Sequence, residues 1–278
     1  MIGGLLRISR PLNAGIAFLS ILAAGMIAGT GIEKVIAILP AAVFGTLIGT
    51  AGNVFNDLLD IDIDRVNKPK RPLVEGSVTR PAAVGWGTAC AVAGAAGSSL
   101  YGAETFAIAC AALAVLAVYN LSLKRIPLLG NAVVACLTGA AFLYGSSAAG
   151  DIVRGSVPAL LAAGFNLPRE LLKDIEDVEG DKQCGVSTFP VRFGVRLSRD
   201  LAVALLLCLL VGTSVPFFLG YYSAAYLLVV VAGIAPVIVL QIVRLSRSPT
   251  PESAGRAAVA LKYDMVVGVA AVVAGVYF

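Results

Sequence analysis

Nine long apolar runs alternate with short polar segments along the chain, at residues 11–30, 35–55, 81–101, 104–121, 128–149, 155–173, 197–217, 221–243 and 257–278. Each is long enough to cross roughly 30 Å of hydrocarbon as a helix, and a helix satisfies its own backbone hydrogen bonds in lipid. The pattern predicts an all-α, polytopic membrane protein with nine transmembrane helices, boundaries uncertain by several residues. The first run is read as a retained span, because no small-residue cleavage site followed by a polar domain comes after it.

Composition strengthens this reading. The chain is 58% hydrophobic and 14% charged, with a mean hydropathy of +0.90, far from the balance of a water-soluble domain. Charge then sets orientation. With nine spans, the N-terminus and the even-to-odd loops lie on one side and hold nineteen of the 21 Lys and Arg, counting Lys262. Only Lys34 and Arg154 fall on the other. By the positive-inside rule the basic side is cytoplasmic, so the net charge of +4 reports topology in a cell membrane rather than affinity for nucleic acid.

The sulfur and nitrogen ligands narrow the chemistry. The five cysteines, Cys90, Cys110, Cys136, Cys184 and Cys208, lack paired metal-ligand spacing, and four lie in apolar runs where a small buried hydrophobe is expected. No disulfide framework is implied. There is no histidine, which removes the commonest transition-metal ligand and the commonest general base. A metal bound here should prefer oxygen.

Two acidic ladders carry the remaining signal. Asp57, Asp60 and Asp64 are spaced i, i+3, i+7, and Asp174, Asp177 and Asp181 repeat that spacing 117 residues later. Each ladder closes an even-numbered span and is followed by a cation, Arg65 or Lys182. The segments 53–72 and 166–182 therefore read as a pseudo-repeat within a single domain, 1–278. At about 100° per residue, Asn53, Asn56, Asp57, Asp60 and Asp64 share an arc of roughly 100°, and Asn166, Glu170, Asp174, Asp177 and Asp181 one of about 80°. Asp62, Glu176 and Glu179 point elsewhere. Helix breaks are expected before Asp64 or at Gly180.

Carboxylates stacked on one helix face repel each other, and near a bilayer each is costly unless offset. A divalent cation is the natural offset, and an all-oxygen set suits Mg²⁺, which shares its shell between carboxylates and substrate phosphates. Lys68, Lys70, Arg71, Lys124, Arg125, Arg169, Lys173 and Lys182 surround the ladders and suit phosphate oxygens. Acids for metal and cations for phosphate, at the cytoplasmic face of a membrane bundle, point to a diphosphate with a lipid-soluble remainder. Solvated loops with local ion pairs are the plainer reading, but do not require one ladder to occur twice.

These motifs resemble the UbiA superfamily of intramembrane prenyltransferases. Asn56, Asp57, Asp60 and Asp64 match its NDxxDxxxD signature, and Asp174, Asp177 and Asp181 its second motif, with Glu170 one turn earlier. YNLSLK, with Tyr119 and Lys124, matches a third element, and Arg10-Pro11-Leu12-Asn13 resembles the start of the family's first helix. Segments 66–72, 137–145 and 169–182 are most similar to the archaeal digeranylgeranylglyceryl phosphate synthases. Leu167-Pro168 departs from the family pattern, and the proline should kink span six.

The resemblance implies a central cavity open to the cytoplasmic side, with Mg²⁺ held by Asn56, Asp57, Asp60, Asp64, Glu170, Asp174, Asp177 and Asp181. It implies geranylgeranyl diphosphate as donor and geranylgeranylglyceryl phosphate as acceptor. Asp60, Asp64, Asp174, Asp181, Lys124 and Tyr119 are the expected catalytic set. Arg10, Asn13, Asn53, Asn56, Lys68, Arg71, Lys124, Arg169, Lys173 and Lys182 are the expected substrate-binding set. Two other readings compete: prenylation of an aromatic acceptor, and a divalent-cation transporter. Lys262 and Asp264, near the start of the last span, are expected to form an ion pair beside the site or merely to stabilise each other.

Overall fold

The computed structural model of the chain describes residues 2–29 and 32–278, with the side chains of Ile32 and Lys34 outside that description. Of the two cations expected on the outer side, only the Arg154 side chain is therefore described. Among the described residues there are helices and no strand.

The chain divides into two units, Met1–Leu123 with Ala140–Gly155, and Lys124–Gly139 with Ser156–Phe278. The first contains α1 (Ile2–Ile8), α2 (Pro11–Ala28), α3 (Ile32–Leu59), α4 (Ile61–Asn67), α5 (Arg80–Ser98) and α6 (Ala103–Leu121). Helix α7 (Leu129–Ala148) contributes to both units. The second contains α8 (Ser156–Glu176), α9 (Val178–Gln183), α10 (Phe189–Phe193), α11 (Val195–Gly212), α12 (Val215–Phe218), α13 (Ala224–Val229), α14 (Ala235–Arg247) and α15 (Pro251–Tyr277).

Local sequence explains the helix starts. Thr79 caps α5, its hydroxyl accepting from the Ala82 N–H, and Pro81 occupies the first turn, where a missing N–H costs nothing. Thr250 and Ser253 form a reciprocal capping box at α15, again with a proline, Pro251, in the first turn. A single π turn, Val230–Ile234, joins α13 to α14, and the Ala235 N–H bonds to the Val230 carbonyl just before Pro236, which has no N–H to offer.

In the first unit α3 packs on α5, α2 and α6. Its core gathers Ile21, Ile38, Ala41, Ala42, Ile48, Ala109 and Tyr144, and a second cluster of Ile8, Val54, Val78 and Ala83 lies beneath the polar loop after α4. A Cβ on Gly94 would come within 2.9 Å of the Phe44 carbonyl oxygen, so α3 and α5 approach backbone to side chainless backbone. In the second unit α8 packs on α15 and α11, while the α13–α14 segment packs on α15 and, through α14, on α11.

Among the described residues, seven segments are long and apolar enough to cross a membrane: Pro11–Ala28, Val35–Leu59, Ala103–Leu121, Leu129–Ala148, Val195–Phe218, Ala224–Arg247 and Pro251–Tyr277. The expected third and sixth spans are helical, as α5 and α8, but are not among them. Their composition explains it. Helix α5 spends its positions on Gly, Ala, Ser and Thr for close packing, and α8 carries Arg169, Glu170, Lys173 and Asp174 in its last two turns.

Two expectations need correction. Of the four cysteines in apolar runs only Cys90 is buried; Cys110, Cys136 and Cys208 are exposed. The second ladder helix breaks at Asp177 and not at Gly180, while the first breaks before Asp64 as expected, at Asp60; each break joins a long helix to a short one. Pro168 lies inside α8, which runs on to Glu176.

Candidate active site

Both breaks have one geometry. Asp60 has φ −100° and ψ 11°, and Asp177 has φ −91° and ψ 5°. In each case the fourth residue on donates its N–H back to the break residue's carbonyl, at 2.8 Å from Asp64 and 3.0 Å from Asp181. The 117-residue sequence repeat is thus a repeat of backbone shape. Asp57, Asp64, Glu170 and Asp181 are buried, while Asp62, Glu176 and Glu179 are exposed, as the helical arcs predict.

In the first unit, cations hold the ladder. One guanidinium nitrogen of Arg71, Nη1, lies 2.6 Å from Asp57 Oδ1 and 2.6 Å from Asp64 Oδ2. Arg10 Nη2 also donates to Asp57 Oδ1. Arg10 sits in the left-handed region, φ 51° and ψ 71°, immediately before Pro11. A non-glycine residue pays for that conformation, so its retention marks a geometrically demanding position. Burial pushes Asp64 up to about 6, opposed by the Arg71 charge and reinforced by Asp57 and Asp60.

The loop that carries Arg71 is itself tied down. Arg7 donates to the Lys70 carbonyl at 2.7 Å and pairs with Glu75, while Trp86 Nε1 donates to Ser9 Oγ at 3.0 Å. The Arg7 hydrogen bond holds the Glu75 carboxyl below its usual range. Lys68 caps α4, its N–H reaching the Asp64 carbonyl. Asn53 and Asn56 lie in the last turns of α3, and Asn13 in the first turn of α2, all half-buried.

In the second unit an amide and a hydroxyl each hold a ladder aspartate. Asn131 Nδ2 donates to Asp174 Oδ2 at 2.8 Å, and Thr188 Oγ1 to Asp181 Oδ2 at 3.2 Å. Glu170 is paired with Arg169 at 2.8 Å and Lys173 at 2.7 Å. Arg169 also donates to Asn166 Oδ1, and its buried Nε has no partner. Lys182 is exposed on α9. Tyr119 is half-buried in the last turn of α6, and Lys124, also half-buried, lies in the 3-10 turn Leu123–Arg125.

Asn131 and Thr188 escape a sequence reading built on charge. Asn131 had a visible signal, an amide at the start of an apolar run, where a polar side chain needs a partner. Thr188 had none. The expected Lys262–Asp264 ion pair is not made: Asp264 is buried on α15, and neither carboxylate oxygen has a hydrogen-bond partner.

Among the described residues no group of three or more Asp or Glu is already placed to hold a metal ion. The donors nevertheless fit a hard cation. The ladders offer oxygen alone, and one positive centre already reaches both Asp57 and Asp64. Each ladder, taken by itself, offers carboxylates to a divalent cation and has guanidinium or ammonium groups nearby that suit a phosphorylated group.

Comparison with known proteins places this geometry. The UbiA prenyltransferase family matches residues 17–264. A relative in Methanopyrus kandleri, digeranylgeranylglyceryl phosphate synthase, is 31% identical over 97% of this chain and 97% of its own. A solved structure described as "Structural and mechanistic insights into the biosynthesis of Digeranylgeranylglyceryl phosphate synthase in membranes" is 26% identical. It has a TM-score of 0.75 and covers 99% of this chain and 98% of its own. A UbiA homolog from Archaeoglobus fulgidus, solved with DMAPP and Mg²⁺, shares the fold at a TM-score of 0.66 and 17% identity, over 96% and 98% of the two chains. Apolar helices, paired ladders and full-length similarity converge on one conclusion: this multi-pass membrane protein belongs to the UbiA prenyltransferase family.

Proposed function

We infer that the chain transfers a geranylgeranyl group from geranylgeranyl diphosphate to the free hydroxyl of geranylgeranylglyceryl phosphate, in archaeal ether-lipid synthesis. The observation that carries this is the pair of aspartate ladders at matching helix breaks, in a chain similar end to end to a digeranylgeranylglyceryl phosphate synthase. The domain is read as one catalytic unit, 1–278, crossing the membrane nine times, with α5 and α8 as the two less apolar spans. Its cavity opens to the cytoplasm, where the basic loops lie.

Mg²⁺ suits the donors described above, and a homologue of the same fold was solved with it. When bound, it stabilises the negative charge that develops on the leaving diphosphate. Asn56, Asp57, Asp60, Asp64, Glu170, Asp174, Asp177 and Asp181 are the residues that would hold it. Asn131 and Thr188 fix the orientation of Asp174 and Asp181.

The chain's cations bind the phosphates. Arg71 and Lys124 hold the donor diphosphate, with Arg10, Asn13, Asn53, Lys68, Arg169, Lys173 and Lys182 serving the two phosphorylated substrates. The allylic C–O bond breaks, its electron pair leaving with the diphosphate. The acceptor oxygen then forms a C–O bond to the allylic carbon and loses its proton to released diphosphate or to a carboxylate. Tyr119 faces the allylic cation with its ring, and the apolar helices exclude water that would otherwise compete for it.

Purified protein incubated with labelled geranylgeranyl diphosphate, Mg²⁺ and an acceptor panel tests this. The expected product is the diether phosphate, absent in Asp60→Ala. Preference for an aromatic acceptor overturns the lipid assignment, and metal flux without any prenylated product overturns the enzyme.

A further inference from the structure

Resting on that prenyl-diphosphate reading, we propose that Arg71 is an exchangeable counter-ion of the first ladder. It bridges Asp57 and Asp64 while metal is absent and passes to the diphosphate when metal-bound donor arrives. Metal and donor are then taken up together, and metal alone is resisted.

The geometry carries the idea. Asp57 and Asp64 are both buried, and one nitrogen of Arg71 lies 2.6 Å from an oxygen of each. In the reading above, Asp57 and Asp64 also hold the metal, so the guanidinium and the metal compete for the same carboxylates. A guanidinium does not deprotonate in proteins, so Arg71 cannot leave by becoming neutral. It needs another anion, and a diphosphate presents the planar pair of oxygens that a guanidinium binds best.

The backbone that carries Arg71 is held, but its side chain is 24% exposed against 3% for Asp57, so an incoming anion can reach the guanidinium from solvent. Arg10 Nη2 donates to the same Asp57 Oδ1, so the ladder keeps one cation during the exchange. Asp174 offers the contrast: its partner Asn131 is uncharged and can stay in place while a metal binds the other carboxylate oxygen.

A purely structural Arg71 predicts the opposite behaviour, because deleting it would loosen the ladder and weaken metal binding. The full-length protein, stripped of metal in detergent, is titrated with Mg²⁺ alone and again with the non-ionising S-thiolo analogue of geranylgeranyl diphosphate present. Binding is read by calorimetry and by the shift in thermal unfolding. Arg71→Gln should bind Mg²⁺ alone about tenfold more tightly than wild type, within the usual range of coupling between sites, and bind the analogue more weakly. Arg71→Lys keeps the charge but not the planar fork, and should fall between; it carries the same test if Arg71→Gln does not yield folded protein. Unchanged or weaker Mg²⁺ binding by the variants, with wild type binding analogue and metal normally, overturns the exchange alone. A wild type that binds neither overturns the prenyl-diphosphate reading beneath it.

Discussion

The two ladders have the same spacing and the same break, yet their carboxylates are held differently. Asp57 and Asp64 are paired with two arginines; Asp174 accepts a hydrogen bond from the Asn131 amide and Asp181 one from the Thr188 hydroxyl. Charged partners cancel repulsion but must be displaced by an incoming cation. Neutral partners orient a carboxylate and leave its charge for the metal. Repetition of a motif therefore does not entail repetition of its electrostatics.

Removing one carboxylate from each region gives the largest effect. Asp64→Ala and Asp174→Ala should each lower kcat/KM by about 10²–10³-fold, the scale for losing a group that stabilises transition-state charge. Steady-state kinetics at saturating Mg²⁺ measures it, and a loss confined to one ladder would end the idea that both serve one reaction. Next comes the amide. Asn131→Ala should weaken Mg²⁺ binding by about 10–100-fold, as loss of a ligand's orienting partner does, with the helical circular dichroism unchanged.

Acidity sets a further condition on the first ladder. Asp64 ionises at about 6, above the ordinary aspartate range, so below that pH it holds a proton that Mg²⁺ must displace. Mg²⁺ affinity should therefore fall as pH drops through 6, by about tenfold between pH 7 and pH 5, with a proton released per ion bound at the lower pH. Buffer-dependent calorimetric enthalpies would show that proton, and equal enthalpies across buffers at pH 5 would contradict it. The smallest change is Thr188→Val, which removes one hydrogen bond to Asp181 worth about 1 kcal/mol. A roughly threefold to tenfold rise in the Mg²⁺ concentration needed for half-maximal rate follows.

Much of this was legible in sequence because charge is rare in so apolar a chain. The ladder positions, the exposed faces of Asp62, Glu176 and Glu179, and the helical class follow from spacing alone. A break before Asp64 was legible as well, but not that it falls on Asp60, nor that its counterpart falls on Asp177; only the backbone shows that each is the turning point. Asn131 and Thr188 were hidden because a neutral donor has no charge signature. Hydropathy was also a blunt guide to α5: residues chosen for close approach, such as Gly94, lower the apolar average without making the helix polar.

Asp264 leaves one consequence for handling the protein. A buried carboxylate on α15 with no donor for either oxygen among the described residues is a weak point in the second unit, and hydration would relieve it. Harsh, short-chain detergents that admit water between helices should loosen the C-terminal hairpin first, and proteolysis of solubilised material should begin at the Ser248–Thr250 connection. A leucine at that position would knit the hairpin more tightly and widen the choice of detergents that keep the protein intact.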